Sequence, residues 1–189
     1  MTGHLKADEW VVHGVDASEA RRLVREQHYG GDAPGVMSAI YRHGLFREGE
    51  WFGAECLGVA VWINAVNLSK RFSVKGGPLM LTRLVVDPSV PTNGASFLLG
   101  RSMRLIDRER WPVLVTYADT GQGHTGAIYK ATNWTLDGVG GGICYYRKTD
   151  NKQLSSFGSG GRFRPCPDGY EPRETKKLRF IHDIRRKEA

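Results

Sequence analysis

The chain has 189 residues and carries a net charge of +7, with an isoelectric point near 9.5. Its length suits one domain, and 40% hydrophobic residues are enough for a core, so a wholly disordered chain is excluded. The longest apolar run, residues 57–68, is interrupted by glycine and asparagine and is shorter than the roughly 20 residues that span a bilayer.

The N-terminal residues and the cysteines indicate a cytoplasmic protein. Residues 1–10 are polar and lack the apolar centre of a signal peptide. Cys56, Cys144 and Cys166 are odd in number and widely spaced, which favours reduced thiols over a disulfide framework or a zinc site. We expect a location in the cytoplasm and no membrane partner.

The first half of the chain begins with a strand and a helix. Residues 9–15 read as a short strand, and Asp16 with Glu19 has the spacing of a capping box that opens a helix ending near a glycine pair at 30–31. A weak alternation predicts a strand over 36–41, followed by a hairpin region. The strongest strand pattern covers 57–63.

The second half alternates strands and helices. Strands are predicted at 79–86 and 113–117, with a loop and a helix over 97–110 between them. A turn at 119–123 and a short helix at 125–132 follow, and Gly138–Gly142 is predicted as a link into a strand at 143–146. This order indicates an α/β fold.

The C-terminal segment carries most of the surplus charge. From Arg147 to the end there are 12 basic and six acidic residues, whereas residues 1–146 are nearly neutral. We expect a catalytic domain over 1–148 and a basic, partly flexible extension over 149–189, in which the apolar residues within 176–184 suggest a docked strand or short helix. Such a segment is typical of a nucleic-acid partner, a membrane surface or merely a solvated tail.

Two loops are candidate binding or catalytic segments. In Pro91–Ser96, the small residues around Gly94 let backbone N–H groups approach an anionic ligand at a helix start, although Asn93 or Ser96 would look the same as a helix N-cap. The segment Thr116–His124 follows a buried strand. Its Asp119 and His124 could share a proton transfer, or they could shape the turn and cap the next helix.

The segment from His124 to Gly138 resembles the GNAT acetyltransferase fold. Ala127 matches the alanine of a pattern near the end of that fold, Tyr129 its tyrosine, and Asn133-Trp134 its Gly-Phe pair. The resemblance implies a mixed central sheet flanked by helices and a tyrosine that protonates the leaving coenzyme A thiolate. The family's Arg/Gln-x-x-Gly-x-Gly/Ala loop is absent, because Pro91–Ser96 has one glycine and no leading Arg or Gln.

A longer set of motifs resembles the Mom family of phage DNA-modification proteins. It comprises Leu81–Val86, Asn93 with Ser96, Val115–Asp119, Gly123–Trp134 and, at the end of the first helix, His28-Tyr29. The resemblance implies that adenine N6 in double-stranded DNA is converted to a methylcarbamoyl (acetamido) adduct, which shields phage DNA from restriction enzymes of the bacterial host.

With this resemblance, the candidate residues acquire hypothetical roles. Asp119, helped by His124, would deprotonate the amine of an extruded adenine, Tyr129 would be the general acid, and Arg83 would hold an anionic group. The predicted donor-binding residues are Asn93, Gly94 and Ser96, and the donor is acetyl-CoA or a related acyl compound. The predicted DNA-binding residues are His28, Tyr29, Tyr117, Arg162 and Arg164. Iron is left open as a cofactor, with His28 as a metal ligand.

Two other functions stay open at this point. One is a GNAT N-acetyltransferase that uses acetyl-CoA on a small-molecule or protein amine. The other is a degenerate GNAT domain that only binds nucleic acid, against which the intact set Asp119, His124 and Tyr129 speaks.

Overall fold

The computed structural model describes residues 3–28, 35–49, 54–150, 153–155 and 163–185. The strands are β1 (Trp10–Gly14), β2 (Tyr41–Arg47), β3 (Gly58–Asn64), β4 (Leu79–Val86), β5 (Val113–Asp119), β6 (Thr135–Arg147), β7 (Gln153–Ser155) and β8 (Tyr170–Asp183). The α-helices are α1 (Ala17–Gln27), α2 (Ser69–Phe72), α3 (Gly94–Leu105) and α4 (Ala127–Ala131). Short 3-10 turns precede α2 and follow β5.

One mixed sheet holds these strands in the order β1-β2-β3-β4-β5-β8-β6-β7. Among the strands of the described residues, β4 and β5 are the only parallel neighbours, and the other adjacent pairs are antiparallel. On one face α1 packs Leu23 and Val24 with Val59 and Val61 of β3. The alternate residues of β3 pack on the other face with α3. The predicted mixed sheet flanked by helices is confirmed.

The C-terminal strand β8 corrects the predicted division of the chain. Residues 170–183 hydrogen-bond to β5 on one side and to β6 on the other, so they lie inside the sheet and not in an appended extension. Phe180 and Ile181 of β8 are almost fully buried. The sequence favours this placement through its apolar residues 178, 180 and 181, which the surrounding lysines and arginines obscure.

Two further element predictions were wrong in position. The strand expected at 36–41 lies at 41–47, and residues 35–40 form turns. The glycines of 138–142 are not a link but part of the long strand β6. At Gly138 a Cβ atom would lie 2.7 Å from the Arg179 guanidinium of β8, so glycine here makes room for a neighbouring side chain.

Helices α1 and α4 begin and end close to the predicted positions, whereas α3 lies at Gly94–Leu105 and not at the predicted 97–110. Asp16 occupies the N-cap of α1 without a side-chain cap, and Glu19 instead binds Arg22. Among the described residues, none of the helices combines the length and apolar character that crossing a bilayer requires.

A buried polar network fixes α3 on the sheet. The fully buried Ser102 of α3 accepts a hydrogen bond from Trp62 Nε1 at 2.8 Å, and its hydroxyl lies 2.7 Å from His43 Nδ1. Burial lowers the pKa of His43 to about 4, so the imidazole is neutral at physiological pH. A neutral imidazole and a satisfied hydroxyl can be buried at little cost, and α3 is thereby held in one register.

Candidate functional site

The site begins where the parallel strands β4 and β5 separate. They pair only at Leu79–Leu81 with Leu114–Thr116, and the rest of each strand has no partner across the gap. A β-bulge opposite Val61 and Trp62 inserts Thr82 immediately after the last paired residue. Since a bulge bends its strand, β4 turns away from β5 at this point. Backbone groups and side chains on both edges then face an open cleft.

The cleft has a volume of about 470 Å³ and collects residues from six elements. Its walls come from β4, β5 and the first turn of α3, and its rim from the turn at Gly123–Gly126, from α4 and from the residue after α1. Five of the predicted site residues line it: His28, Arg83, Tyr117, His124 and Tyr129. Residues distant in the sequence therefore meet in one place.

Tyr129 is held in the cleft by packing against β8. Its ring lies 5.2 Å from that of Phe180 and 5.8 Å from that of Trp134. Helix α4 approaches β8 this closely because Gly126 has a φ of +76°, and a Cβ there would lie 2.3 Å from Phe180. Burial raises the pKa of Tyr129 above its usual value. A hydrogen bond with Thr116 lowers the pKa, but the effect of burial is larger. The hydroxyl is thus protonated at neutral pH and can act as a proton donor.

His28 follows the C-terminal end of α1 and reaches the same cleft. Its pKa is lowered to about 4, first by burial and then by the nearby Arg83 and His124. The imidazole is therefore neutral at physiological pH and can accept a proton. Arg83 donates to the Thr82 carbonyl oxygen at 2.7 Å, which holds its guanidinium at the bulge where the strands part.

Asp119 lies on the opposite side of β5 from Thr116. It lines a second cavity of about 430 Å³ on the α2 side of the sheet, together with Lys177. One carboxylate oxygen accepts the Gly121 N–H at 2.9 Å, and the other accepts Gln153 Nε2 at 3.1 Å. The His124 N–H binds the Asp119 backbone carbonyl oxygen at 3.2 Å. This geometry makes Asp119 the organiser of the turn that presents His124.

Two substitutions test whether Asp119 positions the turn or accepts a proton. Asp119→Ala leaves the Gly121 N–H without its acceptor, and we expect the free energy of unfolding to fall by about 1–3 kcal/mol, with lower activity. Asp119→Asn keeps an oxygen for that N–H, so we expect near-normal stability in thermal denaturation and activity within about tenfold of wild type. An Asp119→Asn variant that is stable but inactive would instead assign proton acceptance to the carboxylate.

The predicted donor-binding residues at the start of α3 form hydrogen bonds or packing contacts with other residues of the chain. Asn93 binds the backbone of Leu5, whose N–H lies 2.5 Å from Asn93 Oδ1. Ser96 donates to the Asn93 carbonyl oxygen at 2.9 Å. A Cβ on Gly94 would lie 2.3 Å from Val90, so this glycine is needed for packing. The side chains of Asn93 and Ser96 hold the N-terminal segment and the loop, and Ala95 is the α3 residue that lines the cleft.

The other predicted residues lie elsewhere. Tyr29 and Arg162 fall outside the described residues, and Arg164 accepts a hydrogen bond from Tyr145 through its backbone oxygen. No three His, Cys, Asp or Glu side chains come together as a metal site in the part of the chain that the structure describes. A metal ligand set around His28 is thus not present among those residues.

Three residues that build the cleft were given no role in the sequence analysis, although Thr116 and Gly126 lie within its candidate segments. Thr116 is almost fully buried, binds the Leu81 carbonyl oxygen at the last paired position, and contacts Tyr129. Gly126 and Phe180 together place α4. A signal for the glycine lay in His124-Thr-Gly126 just before a helix, but the position of Phe180 depends on a strand pairing that no local pattern reveals.

Solved structures with the same fold are acetyltransferases. The chain is similar to NAA60 of Arabidopsis thaliana in complex with acetyl-CoA (11% identity, TM-score 0.61, 93% of this chain and 99% of that one). It is also similar to an agmatine N-acetyltransferase mutant (13%, 0.58, 93% and 100%) and to a GNAT-family acetyltransferase from Bacillus cereus (9%, 0.55, 92% and 96%). The fold is therefore that of the GNAT acetyltransferases.

Sequence comparison assigns the chain to a narrower family than the fold does. No curated protein matches it. The model of the Mom protein family, however, matches residues 9–157, a range that begins just before β1, ends just after β7 and includes every residue that lines the cleft. Since this match covers most of the sequence, the chain belongs to the Mom protein family.

Proposed function

We propose that this protein transfers a methylcarbamoyl (acetamido) group to the N6 amine of adenine in DNA, in the cytoplasm of a phage-infected bacterium, and thereby protects phage DNA from restriction. Membership in the Mom family supports the substrate, and the GNAT fold supports an acyltransfer-like reaction. The observation that carries the proposal is one cleft holding both a neutral imidazole and a protonated phenol.

The N6 amine of adenine is a weak nucleophile because its lone pair is delocalised into the ring. It needs a group that accepts a proton as the new bond forms. We assign this role to His28 because its neutral imidazole lines the cleft that also holds Arg83 and Tyr129. The sequence hypothesis gave the role to Asp119, but the hydrogen bonds of both its carboxylate oxygens favour a positioning role.

Two side chains account for the protons of the reaction. The N6–carbon bond forms while the bond from that carbon to the donor's leaving group breaks. One N6 proton goes to His28, and the leaving group receives a proton from Tyr129, whose raised pKa keeps it protonated until then. Arg83, at the entrance of the gap, stabilises negative charge on the donor carbonyl oxygen or on the leaving group.

The two cavities suggest how the two substrates approach. They share Leu81, Thr82, Arg83 and Tyr117, so they meet at the gap between β4 and β5. An adenine inside a duplex cannot reach these groups and must be extruded. We propose that the base enters from the cavity of Asp119 and Lys177, while the donor lies along the α3 and α4 side.

The cleft fits the extended arm of a donor related to acetyl-CoA whose transferred group already contains the amide nitrogen, because acetyl-CoA itself would give only an N-acetyl adduct. The unpaired edges of β4 and β5 offer backbone groups to an extended chain, and the N–H groups of the first turn of α3 near Ala95 would hold an anionic portion. Such a donor supplies an activated carbon for transfer. The described residues do not form a metal site, and no step is assigned to iron.

A restriction assay tests the proposed function. Plasmid DNA from bacteria that express the chain should resist restriction enzymes whose sites contain adenine, and DNA from cells with an empty vector should be cut. Purified chain incubated with acetyl-CoA and a panel of small amines should acetylate none of them. Sensitive plasmid together with acetylated small amines would favour the GNAT N-acetyltransferase function instead.

A further inference from the structure

A turn before β2 exposes a large apolar side chain. Met37 lies in this turn and is 57% exposed, whereas the side chain of its neighbour Val36 is buried among residues of α1 and β3. Val36 therefore anchors the turn in the core, and Met37 extends from it into solvent. A single exposed apolar residue is common on protein surfaces. The support and the neighbours of Met37 distinguish it from such a residue.

The turn is rigid because an arginine of β2 binds its backbone. Nη1 of Arg42 donates to three carbonyl oxygens of the turn, those of Ala39 at 3.0 Å, Val36 at 3.2 Å and Met37 at 3.4 Å. The Ile40 N–H binds a carbonyl oxygen of β3 at 2.8 Å. Met37 is thus carried on a fixed support, so little conformational entropy of the backbone is lost when it makes a contact.

Arginines of α1 lie around Met37 in one pocket. The pocket has a volume of about 500 Å³, and its described lining includes Met37, three arginines (Arg21, Arg22 and Arg25) and one acidic residue, Glu26. Arg22 binds two glutamates of the same helix. Arg21 and Arg25 are exposed and lie one turn apart, about 6 Å along the helix axis. An apolar side chain among cations suits a surface that contacts both the bases and the phosphates of DNA.

The turn of Met37 lies on the face of the sheet through which the adenine is proposed to enter. A Cβ on Gly35, at the start of the turn, would lie 3.7 Å from Ile63 Cγ2 of β3. Ile63 pairs with Met80 of β4, and Met80 lines the second cavity, of about 430 Å³, which is the proposed entrance for the base. Paired residues share a face, and neighbouring strands are about 4.8 Å apart. The turn and the entrance are therefore separated by roughly one strand.

We propose that Met37 is a wedge that enters the base stack of duplex DNA where the adenine leaves it, and that Arg21 and Arg25 bind the adjacent phosphates. This inference rests on the proposed function. An extruded adenine loses its stacking and pairing, and an apolar side chain in the vacated space offsets part of that loss. Methionine is long, unbranched and adaptable in shape, which suits contact with the neighbouring bases. Guanidinium groups bind phosphate oxygens through paired N–H donors.

The fluorescence of 2-aminopurine tests the wedge without depending on the reaction. This adenine analogue fluoresces more strongly when it is unstacked, and it replaces single adenines in duplexes of several sequence contexts. We expect wild type to raise the fluorescence, Met37→Ala to remove most of the rise, and Met37→Leu to restore it. The matched control is Leu105→Ala, which truncates an exposed apolar side chain of α3 on the other face of the sheet and should behave like wild type.

Modification rates on two DNA substrates give a second readout. On duplex adenine, Met37→Ala should be at least about tenfold slower than wild type, because extrusion of a stacked and paired base then lacks its wedge. On an adenine opposite an abasic site, which has no pairing partner, the variant should be nearly as fast as wild type. Equal losses on the two substrates would show that Met37 acts in some step other than extrusion and would overturn the proposal.

The arginines are tested by the salt dependence of duplex binding, measured by anisotropy over a range of KCl concentrations. Arg21→Ala/Arg25→Ala should lower the log–log slope by about 1.8, as expected for two lost phosphate contacts. Arg101→Ala/Arg104→Ala removes the same charge from α3 on the other face and should leave the slope unchanged. Equal changes of slope in both double variants would overturn the phosphate assignment.

The remaining outcomes separate the wedge from the proposed function. Wild type that leaves 2-aminopurine stacked, or Met37→Ala that unstacks it fully, would overturn the wedge. A dimer that Met37→Ala dissociates while extrusion is unchanged would assign the exposed side chain to self-association instead. Wild type that unstacks 2-aminopurine through Met37 but leaves adenine unmodified would refute the proposed function and leave the wedge in place.

Discussion

Tyr129→Phe should lower the rate of adenine modification by about 10²–10⁴-fold while the protein stays folded. The phenylalanine keeps the ring contacts with Phe180 and Trp134 and loses only the hydroxyl that supplies a proton. Stability should change by no more than about 1 kcal/mol, because the single hydrogen bond with Thr116 is lost. The modified fraction of adenine in plasmid DNA and the melting temperature measure the two effects.

Tyr41→Phe is the matched control for this variant. Tyr41 is also half-buried, but it lines a different cavity beside β1 and lies over His43. Removing the Tyr41 hydroxyl should leave the rate of adenine modification unchanged. A Tyr129→Phe enzyme that modifies adenine at the wild-type rate would remove the phenol from the mechanism.

His28→Gln should reduce modification by a similar factor of about 10²–10⁴. Glutamine can form hydrogen bonds but cannot take a proton at neutral pH, so the amine would lose its acceptor. His13→Gln is the control, because His13 is exposed on β1 and stacks on Phe46 away from the cleft. Thermal denaturation of both variants checks that the fold is retained.

The dependence of the rate on pH gives a second readout for His28. An ordinary histidine would lose activity as the pH falls through about 6.5. Because the pKa of His28 is lowered to about 4, its neutral form persists to lower pH, and the rate should stay level down to about pH 5. A rate that falls by half near pH 6.5 would contradict the assignment of proton acceptance to His28.

Local patterns predicted most of the α/β core. The strand at 79–86 and the helix leading to His28 follow from apolar periodicity and from Asp16 at the helix start, and the structure confirms both. The apolar residues within 176–184 indicated a docked strand or short helix, but the alternating lysines and arginines favoured an appended basic segment over a strand inside the sheet. The place of β8 between β5 and β6 comes from long-range pairing, which the sequence pattern does not encode.

The residue types of the site could be predicted from the sequence, but their arrangement in space could not. His28, Arg83 and Tyr129 lie about 100 residues apart at most, yet they share the cleft as the resemblance implied. Asp119 and Asn93 were also singled out, but hydrogen bonds to Gly121 and Leu5 give them structural tasks. A polar side chain in a loop can either stabilise a turn or bind a ligand. Its hydrogen-bond partners in the structure distinguish these two roles.

The C-terminal strand connects structure with function. Phe180 of β8 supports both Gly126 and Tyr129, so the strand places the proposed acid at the mouth of the cleft. Its neighbour Arg179 is bound by Asp137 of β6. Removing the basic segment would therefore dismantle the cleft.

The mass of adenine nucleosides tests the central claim most directly. DNA from bacteria that express the chain is digested to nucleosides and analysed by mass spectrometry beside DNA from cells that express His28→Gln. We predict a modified deoxyadenosine heavier by a methylcarbamoyl group with the wild-type chain, and its near absence with the variant. Unmodified adenine in the wild-type sample, or an acetyl adduct lacking the additional NH, would contradict the proposed reaction.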